Sequence, residues 1–345
     1  MYCCNKSIKK IMLVACLFIL SLAVTACGSQ DGSEQAGEPE NKETLIFADA
    51  GWDSIRFHND VAAFIIENGY GYPTDITPGS TPATFTGLRN GDIDIYMEAW
   101  KENIIEIYQE GIDKGEIIEA SVNFDDNAQG LYVPTFVIEG DPARGIEPMA
   151  PDLKTVQDLP KYWELFKDPE QPSKGRIYGS IPGWAADEIL YEKYQTYGLD
   201  ETFNYFRPGS DTALAAAISN ACEEGKPFVG YYWEPTWISG KYDITLLEDE
   251  EYSDEKWENG YACEWPGTEV NIVLHSSMTE KAPEVVDFLK NYHTSSQLTA
   301  EALAFMQDND AGTEDAAKWF LKEREDVWTA WVPEEVAEKV KEALQ

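Results

Sequence analysis

Apolar and polar positions in the chain follow two different periods, and these mark out its elements. Thr44 to Ala50 (TLIFADA) is a short apolar run with the character of a buried strand. Apolar residues then recur at helical spacing from Ile55 to Asn68, with Asp53 or Ser54 as cap and Gly69 as stop. Thr74 to Pro78 predicts a short strand, and Ser80 to Asn90 a second helix ended by Gly91. Asp92 to Met97 (DIDIYM) alternates and predicts a third strand. The order β-α-β-α-β is the unit of a parallel sheet and places the chain in the α/β class.

The plan recurs downstream. Arg176 to Ile181 predicts a strand, Ala185 to about Tyr197 a helix, Asp211 to Glu224 a helix and Phe228 to Tyr232 a strand. Pro78-Gly79-Ser80 opens the second helix of the first half, and Pro208-Gly209-Ser210 opens its counterpart. A strand at Val270 to Leu274 precedes an amphipathic, helical tail from Ala282 to Gln345. In each half two tryptophans follow predicted strands: Trp52 and Trp100, 48 positions apart, then Trp184 and Trp233, 49 apart. Ligands of open α/β sheets bind outside the carboxyl ends of the strands, so four such indoles would converge on one crevice if the halves face each other.

The first residues have a different pattern. Lys6, Lys9 and Lys10 precede a mostly apolar run from Ile11 to Val24, too short to span a bilayer but suited to an export signal over residues 1–26. Val24-Thr25-Ala26-Cys27 resembles the lipobox of bacterial lipoproteins, which implies cleavage before Cys27 and acylation of its sulfur. Gly28 to Glu43 is polar, free of aromatics and reads as a disordered tether, reaching roughly 22 Å. The folded part is therefore expected from residue 44, outside the cytoplasm and held to the cell membrane by lipid.

Charge narrows the partners. The 26 Lys+Arg against 63 Asp+Glu give a formal net charge of −37, which repels phosphate backbones and anionic lipid headgroups. Nucleic acid is excluded as a partner, and a membrane link must be hydrophobic or covalent. Of six cysteines, only Cys222 and Cys263 lie beyond the lipid site. An even pair in an exported domain could form a disulfide staple, and two buried free thiols are the alternative.

Convergent indoles suit one ligand chemistry well. A methylated ammonium has no strong N–H donor, so acceptors cannot select it, but ring faces attract it at roughly 0.5–2 kcal/mol each. Trp163, Trp257, Trp265, Trp319, Trp328 and Trp331 lack the strand-end placement and read as core. His58, His275 and His293 have no metal-ligand spacing, and no catalytic motif is present, so neither a metal, a cofactor nor a catalytic residue is assigned.

Five segments in order resemble the substrate-binding lipoproteins of ABC importers for glycine betaine, choline and related osmoprotectants. They are Gly51-Trp52-Asp53-Ser54; Gly91-Asp92-Ile93-Asp94 with Glu98-Ala99-Trp100; Tyr132-Val133-Pro134-Thr135; Pro182-Gly183-Trp184; and Tyr231-Tyr232-Trp233-Glu234-Pro235-Thr236-Trp237 with Lys241-Tyr242-Asp243. The resemblance implies a two-lobed type II periplasmic-binding-protein fold, each lobe a mostly parallel sheet flanked by helices. Lobe one would take residues 44–138 and 270–345, and lobe two 139–269. It implies a cage for the ammonium head from Trp100, Trp184 and Trp233, with Trp52 and Tyr132 added as in choline binders. The backbone N–H groups of Ala185 and Ala186, at a helix N-terminus, would hold a ligand carboxylate. A monomer working with an ABC permease is expected.

Two departures leave the ligand open among glycine betaine, choline, carnitine and trimethylamine N-oxide. No histidine follows Trp233, and Ser54 stands where choline binders can have an acid. Glu98 shares strand parity with Trp100, which leaves it facing either the pocket or the surface; an acid in the pocket would favour a ligand without a carboxylate. The remaining readings are a binding lipoprotein for an amino acid or polyamine, and a secreted lipoprotein enzyme or adhesin.

Overall fold

A computed structural model describes residues 42–267 and 269–345. The expected signal, the Cys27 lipid site and nearly all of the tether lie outside the described residues. Ten strands carry the framework: β1 Leu45–Asp49, β2 Thr74–Pro78, β3 Ile95–Trp100, β4 Ile117–Phe124, β5 Ala128–Pro134, β6 Gly175–Tyr178, β7 Phe203–Phe206, β8 Gly230–Glu234, β9 Ile244–Leu246 and β10 Val270–His275. They form two five-stranded sheets, ordered β2-β1-β3-β10-β4 and β7-β6-β8-β5-β9. In each sheet the first three strands run parallel and the last two join antiparallel.

The two sheets are therefore built alike, as the halves of the sequence imply. Helices α1 Asp53–Ile65 and α2 Thr81–Asn90 link β1, β2 and β3. Helices α3 Ala185–Thr196 and α4 Asp211–Glu224 do the same for β6, β7 and β8. Strand β7 (FNYF) completes the second unit and is not among the elements expected from sequence. Each sheet also takes in a strand next to a chain crossing: β10 in the first, β5 in the second.

One boundary shifts. Strand β5 pairs with β8 and β9, so the chain leaves the first sheet at Asp125–Asn127. Residues 128–138, expected in lobe one, stand in lobe two. The chain is back in the first sheet at β10. The tail helices α5 Pro283–Asn291, α6 Ser296–Asp308, α7 Thr313–Glu323 and α8 Glu334–Ala343 pack Phe288, Leu303, Phe320 and Val340 into one core with Phe47, Ile65 and Ile272 of lobe one.

The disulfide is not formed. Cys222 and Cys263 are both buried free thiols. They occupy different surroundings: the carbonyl of Cys222, on α4, accepts from Arg144, whereas that of Cys263 accepts from Lys193.

Candidate functional site

The four strand-end tryptophans line one cavity. Its wall consists of Trp52, Trp100, Trp184 and Trp233 with Thr81, Tyr96, Asn103, Ile104, Ala185, Ala186 and Tyr231, and it is partly open to solvent. Trp52 sits in the turn between β1 and α1, and Trp100 ends β3. Trp184 precedes α3, and Trp233 lies in β8. Two indoles thus come from each lobe, and all four are at least nine-tenths buried. No side chain in the lining carries a formal charge, so ring faces are what a cation would meet there.

The indoles fix one another. Trp184 packs edge-on against Trp52, centroids 5.3 Å apart, and against Trp233, at 5.0 Å and 85°. Trp233 in turn lies near parallel to Tyr231 at 6.0 Å. These edge-to-face contacts suit the ring quadrupoles. Gly51 lets Trp184 approach: its φ is +105°, and an added Cβ would stand 3.3 Å from the Trp184 indole nitrogen.

Backbone and side-chain bonds tie the two lobes beside the cavity. The Thr81 N–H donates to the Gly183 carbonyl at 3.0 Å. The Asp53 N–H donates to Asp211 Oδ2 at 3.3 Å. Asn103 links two further groups, accepting from Trp265 Nε1 at 3.2 Å and donating to Gln129 Oε1 at 3.4 Å. Gln129 Oε1 also accepts from the Tyr231 hydroxyl at 3.0 Å.

Of the residues expected here, Trp52, Trp100, Trp184, Ala185, Ala186 and Trp233 are in the cavity wall. The first-turn amides of α3 at Ala185 and Ala186 have no acceptor within the helix and point their partial positive charge to its start. Tyr132 is not in the wall; it is buried, and its hydroxyl lies 3.5 Å from Glu234 Oε1. Tyr231 and Tyr96 are there instead. Strand parity contains the signal for both, since Tyr231 is two residues before Trp233 and Tyr96 four before Trp100. Trp265, read as core, also reaches the site through its bond to Asn103.

Glu98 lies behind the wall and is fully buried. Its Oε2 accepts from Trp52 Nε1 at 2.5 Å and Ser54 Oγ at 3.0 Å. Burial pushes its carboxyl up to about 7, and the polar groups of Trp52, Ser54 and neighbouring Trp100 pull it back down. Among the described residues no group of three His, Cys, Asp or Glu side chains could hold a metal ion.

Residues 43–323 match the family described as the substrate binding domain of ABC-type glycine betaine transport systems. The chain is 23% identical over 316 residues to the trimethylamine N-oxide-binding protein of Pelagibacter ubique, covering 90% of this chain and 97% of that one. It is 22% identical over 267 residues to the glycine betaine/proline betaine-binding periplasmic protein of Escherichia coli, covering 73% and 78%. Among solved structures, an ABC-transporter choline binding protein in complex with choline superposes with a TM-score of 0.71, 23% identity, and coverage of 89% and 100%. A lactococcal protein in its closed, glycine betaine-bound conformation gives 0.66 and 17%, covering 85% and 100%. These superpositions establish the two-lobed fold.

Proposed function

Because the chain belongs to the family of substrate-binding domains of ABC-type glycine betaine transport systems, we propose that its cavity captures the methylated ammonium head of a small osmoprotectant outside the cytoplasm and delivers it to a membrane permease. The observation that carries this reading is the wall itself: four indoles, two from each lobe, and no charged side chain. A cation without N–H donors gains from ring faces and loses less by leaving water than an ammonium whose N–H groups go unpaired. An amino acid or polyamine would leave its ammonium N–H groups short of acceptors there. The relatives named for binding trimethylamine N-oxide and the betaines take ligands that share that methylated head.

Each residue then has a role. Trp52, Trp100, Trp184 and Trp233 cage the methyl groups, with Tyr231 taking the place expected of Tyr132. The Ala185 and Ala186 amides receive a carboxylate when the ligand has one. Closure of the lobes about their two crossings completes the cage, because neither lobe holds more than half of it. The protein works as a lipid-anchored monomer, attached through Cys27 and the tether to residue 43, and it binds its ligand without chemical change.

Calorimetric titration with glycine betaine, choline, carnitine, trimethylamine N-oxide, proline and putrescine tests this. Binding of at least one methylated amine, with quenching or shift of tryptophan fluorescence, is expected. Binding of proline or putrescine alone, or of nothing in the set, overturns the reading.

A further inference from the structure

Glu98 is a buried acid that the cage as described does not use. It lies on β3 two residues before Trp100, so both side chains leave the same face of the strand. Its Oε2 gathers the Trp52 indole N–H and the Ser54 hydroxyl. Its Oε1 has no hydrogen-bond partner although it is fully enclosed. A carboxylate placed so needs a positive charge nearby.

Among the described residues none is placed to supply it. From α1, His58 brings Nε2 to 3.6 Å from Oε1, but burial pushes that imidazole down to about 3 and leaves it neutral. Its ring nitrogens are engaged with the Tyr292 hydroxyl at 2.8 Å and the Thr299 hydroxyl at 3.3 Å. Tyr96 from β3 and Tyr292 from the chain after α5 are the other titratable groups that feel Glu98, and both phenols are held well above their usual range by burial. No lysine or arginine acts on it.

We propose that Glu98 is a positioning residue for the cage, whose ionised carboxylate draws on the indole N–H of Trp52 and so couples capture of a methylammonium cation to release of a proton. An N–H that donates to an anion shifts electron density into its ring, and the face opposite a cation becomes more negative. The carboxylate and the ligand then attract each other through that indole, behind a buried wall where screening is weak. This rests on the cavity reading above and adds to it a control by pH. Burial keeps Glu98 partly protonated near neutrality. The cation prefers the ionised form, so affinity rises as pH rises through that range, and binding expels the proton.

The test is calorimetry with choline and with glycine betaine at pH 5.5, 7.0 and 8.5, repeated in phosphate and Tris to count protons released. A tenfold or greater loss of affinity from pH 8.5 to 5.5, with proton release near pH 7, is expected. Glu98→Gln keeps an acceptor for one indole but should bind about tenfold more weakly at pH 8.5 and lose the pH dependence. Because that variant could fold poorly, the indole ¹⁵N–H signal of Trp52 is also followed in the ligand-free wild-type protein. It should titrate with a midpoint near neutrality. Ligand binding with no proton released and no indole titration overturns the role of Glu98 alone. Indole titration in a protein that binds neither these two compounds nor carnitine nor trimethylamine N-oxide overturns the cavity reading, and the cation coupling with it.

Discussion

Trp52 and Trp184 meet edge to face across the cleft, their ring centroids 5.3 Å apart and their planes at 79°. One follows the first strand of lobe one, the other the first strand of the repeated unit in lobe two. Equivalent positions of two similarly built lobes therefore meet at the ligand cavity, and the contact exists only while the lobes are together. Trp184 also touches Trp233, so it is the hinge pin of the aromatic wall.

Trp184→Ala should accordingly cost more affinity than loss of a single ring face. One desolvated face contributes about 1–2 kcal/mol, and loosening Trp52 and Trp233 adds to it. A drop of about 30-fold or more is expected in calorimetric titration, with the far-ultraviolet circular dichroism unchanged. Trp184→Phe should recover part of the loss. Affinity within twofold of wild type in the alanine variant would remove Trp184 from the cage.

Much of this arrangement is legible in the sequence where local signals agree. Helix α4 runs over the expected residues because Ser210 accepts from the Ala213 N–H at one end and Gly225 turns left-handed at the other. Strand β7 escapes because only Phe203 of its four residues is fully buried, so FNYF shows neither an apolar run nor a period, whereas the equally short β6 buries three of four. Gly69 was expected to stop α1, but the chain continues through a wider turn to Tyr70, and Gly71, at φ +77°, ends it. Gly69 is small for a different reason, since an added Cβ would lie 2.6 Å from Val336 Cγ1 of the tail. The indoles were found by their repeated strand-end placement. Tyr231 and Tyr96 share strand parity with them, but parity by itself does not say which face looks into the cleft. Tyr132 was carried by resemblance alone, and its ring packs elsewhere.

Asp211 should make the closed form sensitive to pH. It begins α4 in lobe two and accepts from the Asp53 N–H of lobe one. Burial raises its carboxyl to about 7, the Asp53 charge adds to this, and the Asp53 amide and Arg56 oppose it. The folded protein thus binds the Asp211 proton more tightly than the unfolded chain does. Its contribution to stability is fully present below about pH 4 and is lost as pH rises through 7. Asp211→Asn, which remains neutral, should melt several degrees higher than wild type at pH 8 and show a smaller difference at pH 5. A difference in melting temperature independent of pH would remove Asp211 as its source.

Gly183 bears on closure through backbone geometry. Its φ is +94°, its carbonyl accepts from the Thr81 N–H of the other lobe, and an added Cβ would stand 3.2 Å from Ser80 Cβ. Gly183→Ala must either strain this turn, at about 1–2 kcal/mol, or hold the lobes slightly apart. Ligand affinity should fall several-fold while scanning calorimetry shows only a few degrees of loss. Unchanged affinity would mean that the Ser80 contact relaxes without cost.

Lys193 supports the site from outside it. Only 1% of this residue is exposed, unusual for a lysine in the middle of a helix. Its ammonium pairs with Asp249 Oδ2 at 2.5 Å, donates to the Cys263 carbonyl and lies 4.4 Å from the Trp265 ring centre. Asp249 also accepts from the Tyr197 hydroxyl. Burial lowers the lysine's pKa, and Asp249 opposes that shift. Removing one member of such a pair strands the other, a cost of about 3–5 kcal/mol, whereas replacing both with neutral groups can be nearly harmless. Lys193→Met should therefore lower the melting temperature sharply, and Lys193→Met with Asp249→Asn should restore much of it. Trp265 remains in place to hold Asn103 in the folded fraction, so ligand affinity measured below the melting transition should stay within a few-fold of wild type. A double variant no more stable than the single one would mean that Lys193 acts through packing on Trp265 and not through its charge.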